Sequence, residues 1–223
     1  MTCVYFADVT PLEKPEYYAT VIGRLSPERR KKAETCGTKQ NRLLSAGAGY
    51  LLSYALSLLG VNEASAEYSY NQFGKPRIDG HGHLDFSLSH SGKMVMCALS
   101  DSGPVGCDIE APGRHNLAAA KRLFHQNEYH KIINSAIPEH EFIRLWTLKE
   151  CYIKALGTGL ATPLSSFEIV PDNPPYLRGD EEYHFAEFRL ENGYHAAVCS
   201  IEKTACEPVF VDFSALKIIN TLY

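Results

Sequence analysis

The sequence predicts an α+β protein built from two related halves. This prediction comes from a pattern that occurs twice: a long helical segment that ends at a glycine, followed by a β-hairpin that turns at another glycine. The glycines are Gly60 and Gly92 in the first unit, and Gly157 and Gly193 about 100 residues later. The strands after the two turns are also similar, with the runs GKMVMCALS and GYHAAVCS. Repeated units of this kind pack as related layers around a shared interface.

The boundary between the two halves is predicted near Gly103, where the run Ser102-Gly103-Pro104 breaks the chain. Residues 1–103 then form the N-terminal half and residues 104–223 the C-terminal half. A cleft between two such halves is the natural place for a ligand. Chance similarity between two helix-and-hairpin units is the alternative explanation of the pattern.

Composition and charge exclude several classes of protein. The 223 residues are 45% hydrophobic, which is enough for a packed core. The net charge of −4 implies no broad basic surface, so we expect no nucleic-acid partner. We also expect a cytoplasmic protein without a membrane segment, because there is no secretory signal pattern and the longest apolar run, Leu51 to Leu59, is too short to span a bilayer. Seven cysteines without a CxxC pair indicate reduced core thiols.

The N-terminal half is predicted to begin with a strand and to contain two helices, a turn and a hairpin. Ser26 and Pro27 suit the N-cap and first position of the first helix, which carries a basic run. In chain order the segments are a strand at 4–9, a helix start at 26–28, a helix at 40–59, a turn at 73–76, and strands at 84–89 and 94–100.

The C-terminal half repeats this pattern with additional helices. Asn192-Gly193 is a strong hairpin turn signal. In order the segments are a strand at 105–110, helices at 117–124, 128–133 and 142–159, strands at 185–190 and 194–201, and a strand with a short helix within 209–223.

The helix predicted at 142–159 is the segment around which we expect the rest of the chain to be arranged. Its apolar residues recur at helical spacing, so one broad side should be buried; they are Leu145, Trp146, Leu148, Tyr152, Ile153 and Leu156. Glu150 and Lys154 are four residues apart and share a face, either as a surface ion pair or as part of a site. Lys149 falls on the apolar side, an unfavourable place for an ammonium group.

A second acidic cluster lies on the strand at 105–110. Side chains alternate along a strand, so Asp108 and Glu110 point the same way and can converge on one cation. With Glu150 they supply three oxygen ligands, which suits Mg²⁺ with water and phosphate in the remaining positions. Lys154 could then neutralise a phosphate bound to that metal. The alternative is that the two acids simply mark a strand end in solvent.

Other polar residues are candidates for ligand binding, although each has an ordinary explanation as a solvated, capping or turn residue: Arg29, Lys32, Arg42, Lys75, Ser89 and His90. His81-Gly82-His83 is predicted to be a loop, because no further Cys or His ligands are suitably spaced. The sequence contains no G-x-S-x-G, Walker A or G-x-G-x-x-G pattern.

Several short motifs together resemble the 4′-phosphopantetheinyl transferases, in particular the double-length Sfp-type branch. They are S-P-E-R-R-K-K at 26–32, F-G-K-P at 73–76, F-S-L-S-H-S-G at 86–92, G-C-D-I-E at 106–110, F-x-x-x-E at 124–128 and W-x-x-K-E-x-x-x-K-A-x-G at 146–157. Each motif is a modest signal, whereas their order and spacing are highly specific.

This resemblance implies two similar α/β halves related by a pseudo-twofold axis, with coenzyme A in the cleft between them. It implies that Asp108, Glu110 and Glu150 hold Mg²⁺ against the pyrophosphate and that Lys154 contacts the phosphates. It further implies binding of the 3′-phospho-adenosine end by matched positions: Arg29, Lys32, Lys75 and His90, with Arg42 and Ser89 nearby.

The expected activity is transfer of 4′-phosphopantetheine from coenzyme A to a serine of an acyl or peptidyl carrier protein. Glu150, Lys154 and Asp108 are the expected catalytic residues, with Glu150 as the best acceptor of the serine proton, either directly or through a metal-bound water. Lys149 is a weaker candidate for phosphate contact. The segment between Arg114 and Ile137 is the expected carrier footprint, and we expect a monomer. A non-catalytic coenzyme A or carrier-binding module and a metal-dependent nuclease are the alternatives.

Overall fold

The computed structural model describes residues 1–113, 116–203 and 207–216. Its helices and strands follow the predicted order, and the central helix begins four residues earlier than predicted. The strands are β1 (Thr2–Asp8), β2 (Tyr68–Tyr70), β3 (Pro76–Ile78), β4 (Asp85–Ser91), β5 (Met94–Ser100), β6 (Val105–Glu110), β7 (Ile169–Val170), β8 (Tyr176–Leu177), β9 (His184–Arg189), β10 (His195–Ser200) and β11 (Val209–Phe210). The α-helices are α1 (Pro15–Ile22), α2 (Pro27–Glu34), α3 (Lys39–Leu58), α4 (Leu117–Leu123), α5 (Gln126–Ile133) and α6 (Pro138–Leu156).

The two main sheets have the same topology. In the first sheet, β5 lies between β1 and β4 and pairs antiparallel with both, and β11 adds to β1 in parallel. In the second sheet, β10 lies between β6 and β9 and again pairs antiparallel with both. In each case a long helix, α3 or α6, comes between the first strand and the hairpin. The predicted α+β fold with two similar halves is therefore confirmed.

Local signals explain where the helices begin and end. The Ser26 hydroxyl accepts a hydrogen bond from the Arg29 N–H and caps α2, as its sequence predicts. Gly157 ends α6 with a φ of 70°, a conformation that glycine adopts without steric cost. The glycines within α3 allow close packing, since a Cβ on Gly47 would lie 2.7 Å from a Val9 methyl group.

Three apolar clusters hold these layers together. The first packs α3 against the first sheet, and the second packs α6 against the second sheet. The third joins the two sheets through Val4 and Phe6 on one side and Val105, Ile109 and Val198 on the other. The halves are therefore held together by a shared apolar contact.

At the junction of the halves, β4 and β6 lie side by side although they belong to different sheets. Side chains of β4 accept hydrogen bonds from backbone N–H groups of β6. Asp85 Oδ2 accepts the N–H of Val105 at 2.8 Å, and Ser87 Oγ accepts the N–H of Cys107 at 3.0 Å. On the other face of β6, a Cβ on Gly106 would lie 1.9 Å from a carbonyl oxygen of α6, so glycine is required for this close approach.

The remaining expectations concern cysteines, the membrane and the C-terminus. The six cysteines in the described ranges are free thiols, four of them buried. None of the helices described here is long and apolar enough to cross a membrane. Beyond Phe210 the structure shows a short 3₁₀ turn at Phe213–Ala215. The rest of the predicted C-terminal helix, and Arg114, fall outside the described residues.

Candidate active site at the junction of the two halves

Asp108 is the centre of a polar cluster in which β4, β6 and α6 meet. It is 4% exposed, and its Oδ1 lies 2.6 Å from Lys154 Nζ and accepts a hydrogen bond from Ser89 Oγ at 2.7 Å. Lys154 also donates to the carbonyl oxygen of Cys107 at 3.1 Å. The second carboxylate oxygen of Asp108 is buried without a hydrogen-bond partner. A buried charged oxygen without a partner is costly, so this atom is suited to a cationic ligand.

Two further carboxylates lie near Asp108. Glu110, on the same strand, accepts a hydrogen bond at Oε2 from Ser91 Oγ at 2.7 Å. Glu150, on α6, is partly buried, and burial raises its pKa above the ordinary value. The Asp108 charge raises the pKa of Glu150 further, as does Glu110 to a lesser extent, whereas Lys154 opposes them. The charges of Asp108 and Glu110 therefore act on the carboxyl group of Glu150.

Lys154 is the cation nearest to these acids. Burial by itself would lower its pKa, but the adjacent Asp108 carboxylate, together with Cys107 and Glu150, raises the pKa of Lys154 above its ordinary value. The side chain therefore remains an ammonium ion. It can neutralise either Asp108 or an anion that enters the cluster.

The donor chemistry of the acidic cluster fits a hard divalent cation, because carboxylate oxygens are its preferred ligands and one of them is buried without a partner. The side chains are not gathered as ligands, since within residues 1–113, 116–203 and 207–216 no three Asp, Glu, His or Cys side chains form a metal-binding group. Oδ1 of Asp108 is instead occupied by Lys154 and Ser89. The metal ligand set thus stays a prediction.

A cleft of about 270 Å³ next to this cluster is lined by Arg29, Lys32, Lys75 and Lys154. Arg29 is only 8% exposed, and its Nη2 has no hydrogen-bond partner. Its guanidinium lies over the rings of Tyr68 and Phe86, at 4.9 and 5.4 Å from their centroids. A buried donor without a partner, in a cleft lined by cations, is suited to a phosphate group.

Burial and the charge of Arg29 lower the pKa of Lys32. Lys75 lines the same cleft, although its ammonium group already has three partners. Its Nζ lies 2.5 Å from Asp85 Oδ2 and donates to the carbonyl oxygens of Val105 at 3.1 Å and Ala155 at 3.3 Å. Lys75 therefore ties the turn at 73–76 to both halves of the protein.

Two other predicted binding residues are placed differently. His90 is exposed on β4, and it is not among the residues that line the cleft. Arg42 donates to the carbonyl oxygen of Cys36 at 3.1 Å, and it does not line the cleft either. The structure thus brings Arg29, Lys32 and Lys75 together with Lys154 at the cleft, but not Arg42 or His90.

The suggestion that Lys149 contacts phosphate is wrong. Its side chain is fully buried, as its position on the apolar face predicts, and Nζ lies 2.6 Å from Oε1 of the buried Glu128. Nζ also donates to the carbonyl oxygen of Phe167 at 2.8 Å. Burial lowers the pKa of Lys149 to about 8 and raises that of Glu128. This pair joins α5 to α6 away from the cleft.

Sequence reasoning missed Ser91, which reaches across from β4 and donates a hydrogen bond to Glu110. The available signal was the alternation of serines in the run SLSHS, because residues two apart on a strand share a face.

Comparison with known proteins identifies the family of the chain. The family model of the 4′-phosphopantetheinyl transferase superfamily matches residues 104–199, which include the three acids and Lys154. The chain is 31% identical to the 4′-phosphopantetheinyl transferase Sfp of Bacillus subtilis, over 79% of this chain and 82% of that protein.

Two further relatives are also 4′-phosphopantetheinyl transferases. The chain is 31% identical to the 4′-phosphopantetheinyl transferase HetI of a Nostoc species, with 84% of each chain covered. It is 35% identical to the 4′-phosphopantetheinyl transferase gsp of Aneurinibacillus migulanus, over 66% of this chain and 64% of that protein.

Proposed function

The chain belongs to the 4′-phosphopantetheinyl transferase superfamily, and we propose that it transfers 4′-phosphopantetheine from coenzyme A to a carrier-protein serine at the junction of its halves. The observation that carries this proposal is the placement of Asp108. Its unpartnered, buried Oδ2 belongs to an acidic cluster that adjoins a cleft lined by Arg29, Lys32 and Lys154. The cations that would bind phosphates therefore lie beside the carboxylates that would bind a metal.

The basic cleft would hold the phosphates of coenzyme A. The unpartnered Nη2 of Arg29 supplies a charge-assisted hydrogen bond, and Lys32 adds a second cation on the wall of the same cleft. Lys75 contributes charge to the cleft wall while it keeps its contact with Asp85. Ser89 Oγ accepts a hydrogen bond from Lys154 Nζ at 3.2 Å, and the proposed binding surface includes Ser89 and the next residue on β4, His90.

The acidic cluster would hold Mg²⁺ through Asp108, Glu110 and Glu150. When bound, this metal neutralises the pyrophosphate and stabilises the charge that develops on the leaving group. The three carboxylates beside Lys154 carry more negative charge than this lysine neutralises, and a divalent cation would offset the excess. The unpartnered Oδ2 of Asp108 would gain its missing partner in the same event.

The chemistry expected of the residues is a phosphoryl transfer governed by position and charge. The serine oxygen of the carrier attacks the β-phosphate of coenzyme A, and 3′,5′-ADP departs with the electrons of the broken P–O bond. Glu150 takes the serine proton, because burial and neighbouring acids make its carboxylate more basic than usual. Lys154 stays protonated beside Asp108 and can move its charge onto the phosphates.

The carrier protein would dock on the surface formed by α4, α5 and the turn before α6. Ile133 and Ile137 are 45% and 51% exposed there, and Lys121 and Arg122 are exposed on α4. Carrier proteins of this class are acidic, so a surface that is partly basic and partly apolar complements them.

Intact mass spectrometry of purified apo-carrier proteins, incubated with coenzyme A and Mg²⁺, tests the proposal. Each substrate carrier should gain the mass of one phosphopantetheine group, and Glu150→Gln should lower the rate at least about 100-fold while coenzyme A binding stays within about threefold. Glu139→Gln, on the same helix but outside the cluster, is the matched control and should act normally. Full activity of Glu150→Gln would contradict its role, and failure of every carrier to gain mass would contradict the function.

A further inference from the structure

Four alternate side chains of β4 face β6, and they differ in what they bind. Asp85 and Ser87 accept backbone N–H groups of β6. Ser89 and Ser91 reach carboxylates instead: Ser89 donates to Asp108 and Ser91 to Glu110, both at 2.7 Å. The N-terminal half thus supplies a hydroxyl group to each acid on the strand of the C-terminal half.

Ser91 is held more rigidly than an ordinary serine. It is 2% exposed, and its Oγ accepts the N–H of Ala111 at 3.0 Å. A hydroxyl has one proton, and here the Ala111 N–H occupies an acceptor site while the proton is donated to Glu110 Oε2. The strand backbone therefore determines where the hydroxyl points, and the hydroxyl in turn orients the carboxylate.

We propose that Ser91 is a positioning residue that orients Glu110 from the opposite half of the protein so that Glu110 can bind the divalent cation. This inference rests on the proposed function, in which Glu110 is a metal ligand. Glu110 stands at the end of β6, where a side chain without support would sample several rotamers. Outer-shell groups that hold a metal-binding carboxylate typically contribute about 10- to 100-fold in metal affinity.

Ser87 provides a matched comparison. It is a buried serine on the same strand and the same face, and it accepts a β6 N–H at the same distance of 3.0 Å. Within the described part of the chain it makes no hydrogen bond to a carboxylate. Ser87→Ala and Ser91→Ala therefore remove similar contacts from β4 to backbone N–H groups, but only Ser91→Ala also removes a hydrogen bond to Glu110.

The experiment titrates Mg²⁺ into the full-length protein in the presence of saturating coenzyme A, followed by calorimetry, with coenzyme A alone as the blank. Ser91→Ala should weaken Mg²⁺ binding about 10- to 100-fold, whereas Ser87→Ala should stay within about twofold. Coenzyme A affinity measured in EDTA should be the same for Ser91→Ala and wild type, which separates a metal effect from a general loss of structure.

The variant Glu110→Gln distinguishes failure of the role proposed for Ser91 from failure of the metal assignment. If Glu110→Gln loses Mg²⁺ affinity and Ser91→Ala keeps it, the role of Ser91 is wrong while the metal assignment stands. If Glu110→Gln also keeps its affinity, the assignment of Glu110 falls and the inference falls with it. Should Ser91→Ala fail to fold, Ser91→Cys retains the shape with a poor donor. Normal Mg²⁺ affinity of Ser91→Cys would overturn the proposal.

Discussion

Replacing Lys149 with Met tests whether this lysine is structural or catalytic. In the wild type, Lys149 Nζ lies 2.6 Å from Glu128 Oε1 with both side chains fully buried, and it lies 4.0 Å from the centroid of Phe167. Methionine has a similar length but no charge, so Glu128 would keep only its two backbone donors, the N–H groups of Ile169 and His125.

Breaking a buried pair by removing one partner costs about 3–5 kcal/mol, because the other charge is left uncompensated. For a protein of this size we expect a fall in Tm of roughly 6–20 °C. The stability lost in Lys149→Met should be smaller at acidic pH. Burial raises the pKa of Glu128, and a group whose folded pKa is raised is most favourable below its unfolded pKa and loses that advantage as pH rises through the folded value.

The assay combines urea unfolding at pH 5 and pH 7 with the transfer rate measured at a temperature where the variant is folded. The double variant Glu128→Gln/Lys149→Met leaves no buried charge, so it should be more stable than Lys149→Met alone at pH 7. The transfer rate of folded Lys149→Met should stay near that of the wild type. Unchanged stability with a transfer rate more than tenfold lower would refute this reasoning and return Lys149 to the active site.

Two other predictions concern the close contact between Gly106 and α6 and the ion pair between Arg144 and Glu187. Gly106→Ala should lower the unfolding free energy by about 3 kcal/mol or more, because the new Cβ would lie 1.9 and 2.3 Å from backbone atoms of α6. Gly37→Ala places no atom within 4 Å of the new Cβ, so it should change the unfolding free energy by less than about 0.5 kcal/mol. Urea denaturation of both variants measures the difference. Arg144 makes two hydrogen bonds of 2.7 Å to Glu187 and, against the effect of burial, lowers the pKa of that carboxyl to about 2. Arg144→Met should therefore cost up to about 3 kcal/mol at pH 7, with the difference from wild type fading as pH falls from 4.5 toward 2; a cost that does not change with pH would contradict this assignment.

The sequence alone was sufficient for the repeat and for the main helices and strands, whereas α1 and the short strands β2, β3, β7 and β8 were not predicted. Helix ends follow from local chemistry, such as the Ser26 cap and the positive φ of Gly157, so they can be read from a few neighbouring residues. The period-2 pattern placed Asp108 and Glu110 on one face of a strand, and the period-3.6 pattern placed Lys149 inside. These are short-range properties, and they do not depend on which segments meet in space.

Only the tertiary structure decided which groups become partners. The sequence marked Lys149 as buried but could not identify Glu128 as its counter-ion, and it did not identify Ser91 as the support of Glu110. It also placed Lys75 in the cleft without showing that Asp85 and two carbonyl groups hold its ammonium group. Hydrogen bonds and ion pairs depend on distances of a few ångströms between segments far apart in the chain, and packing of the two halves sets those distances.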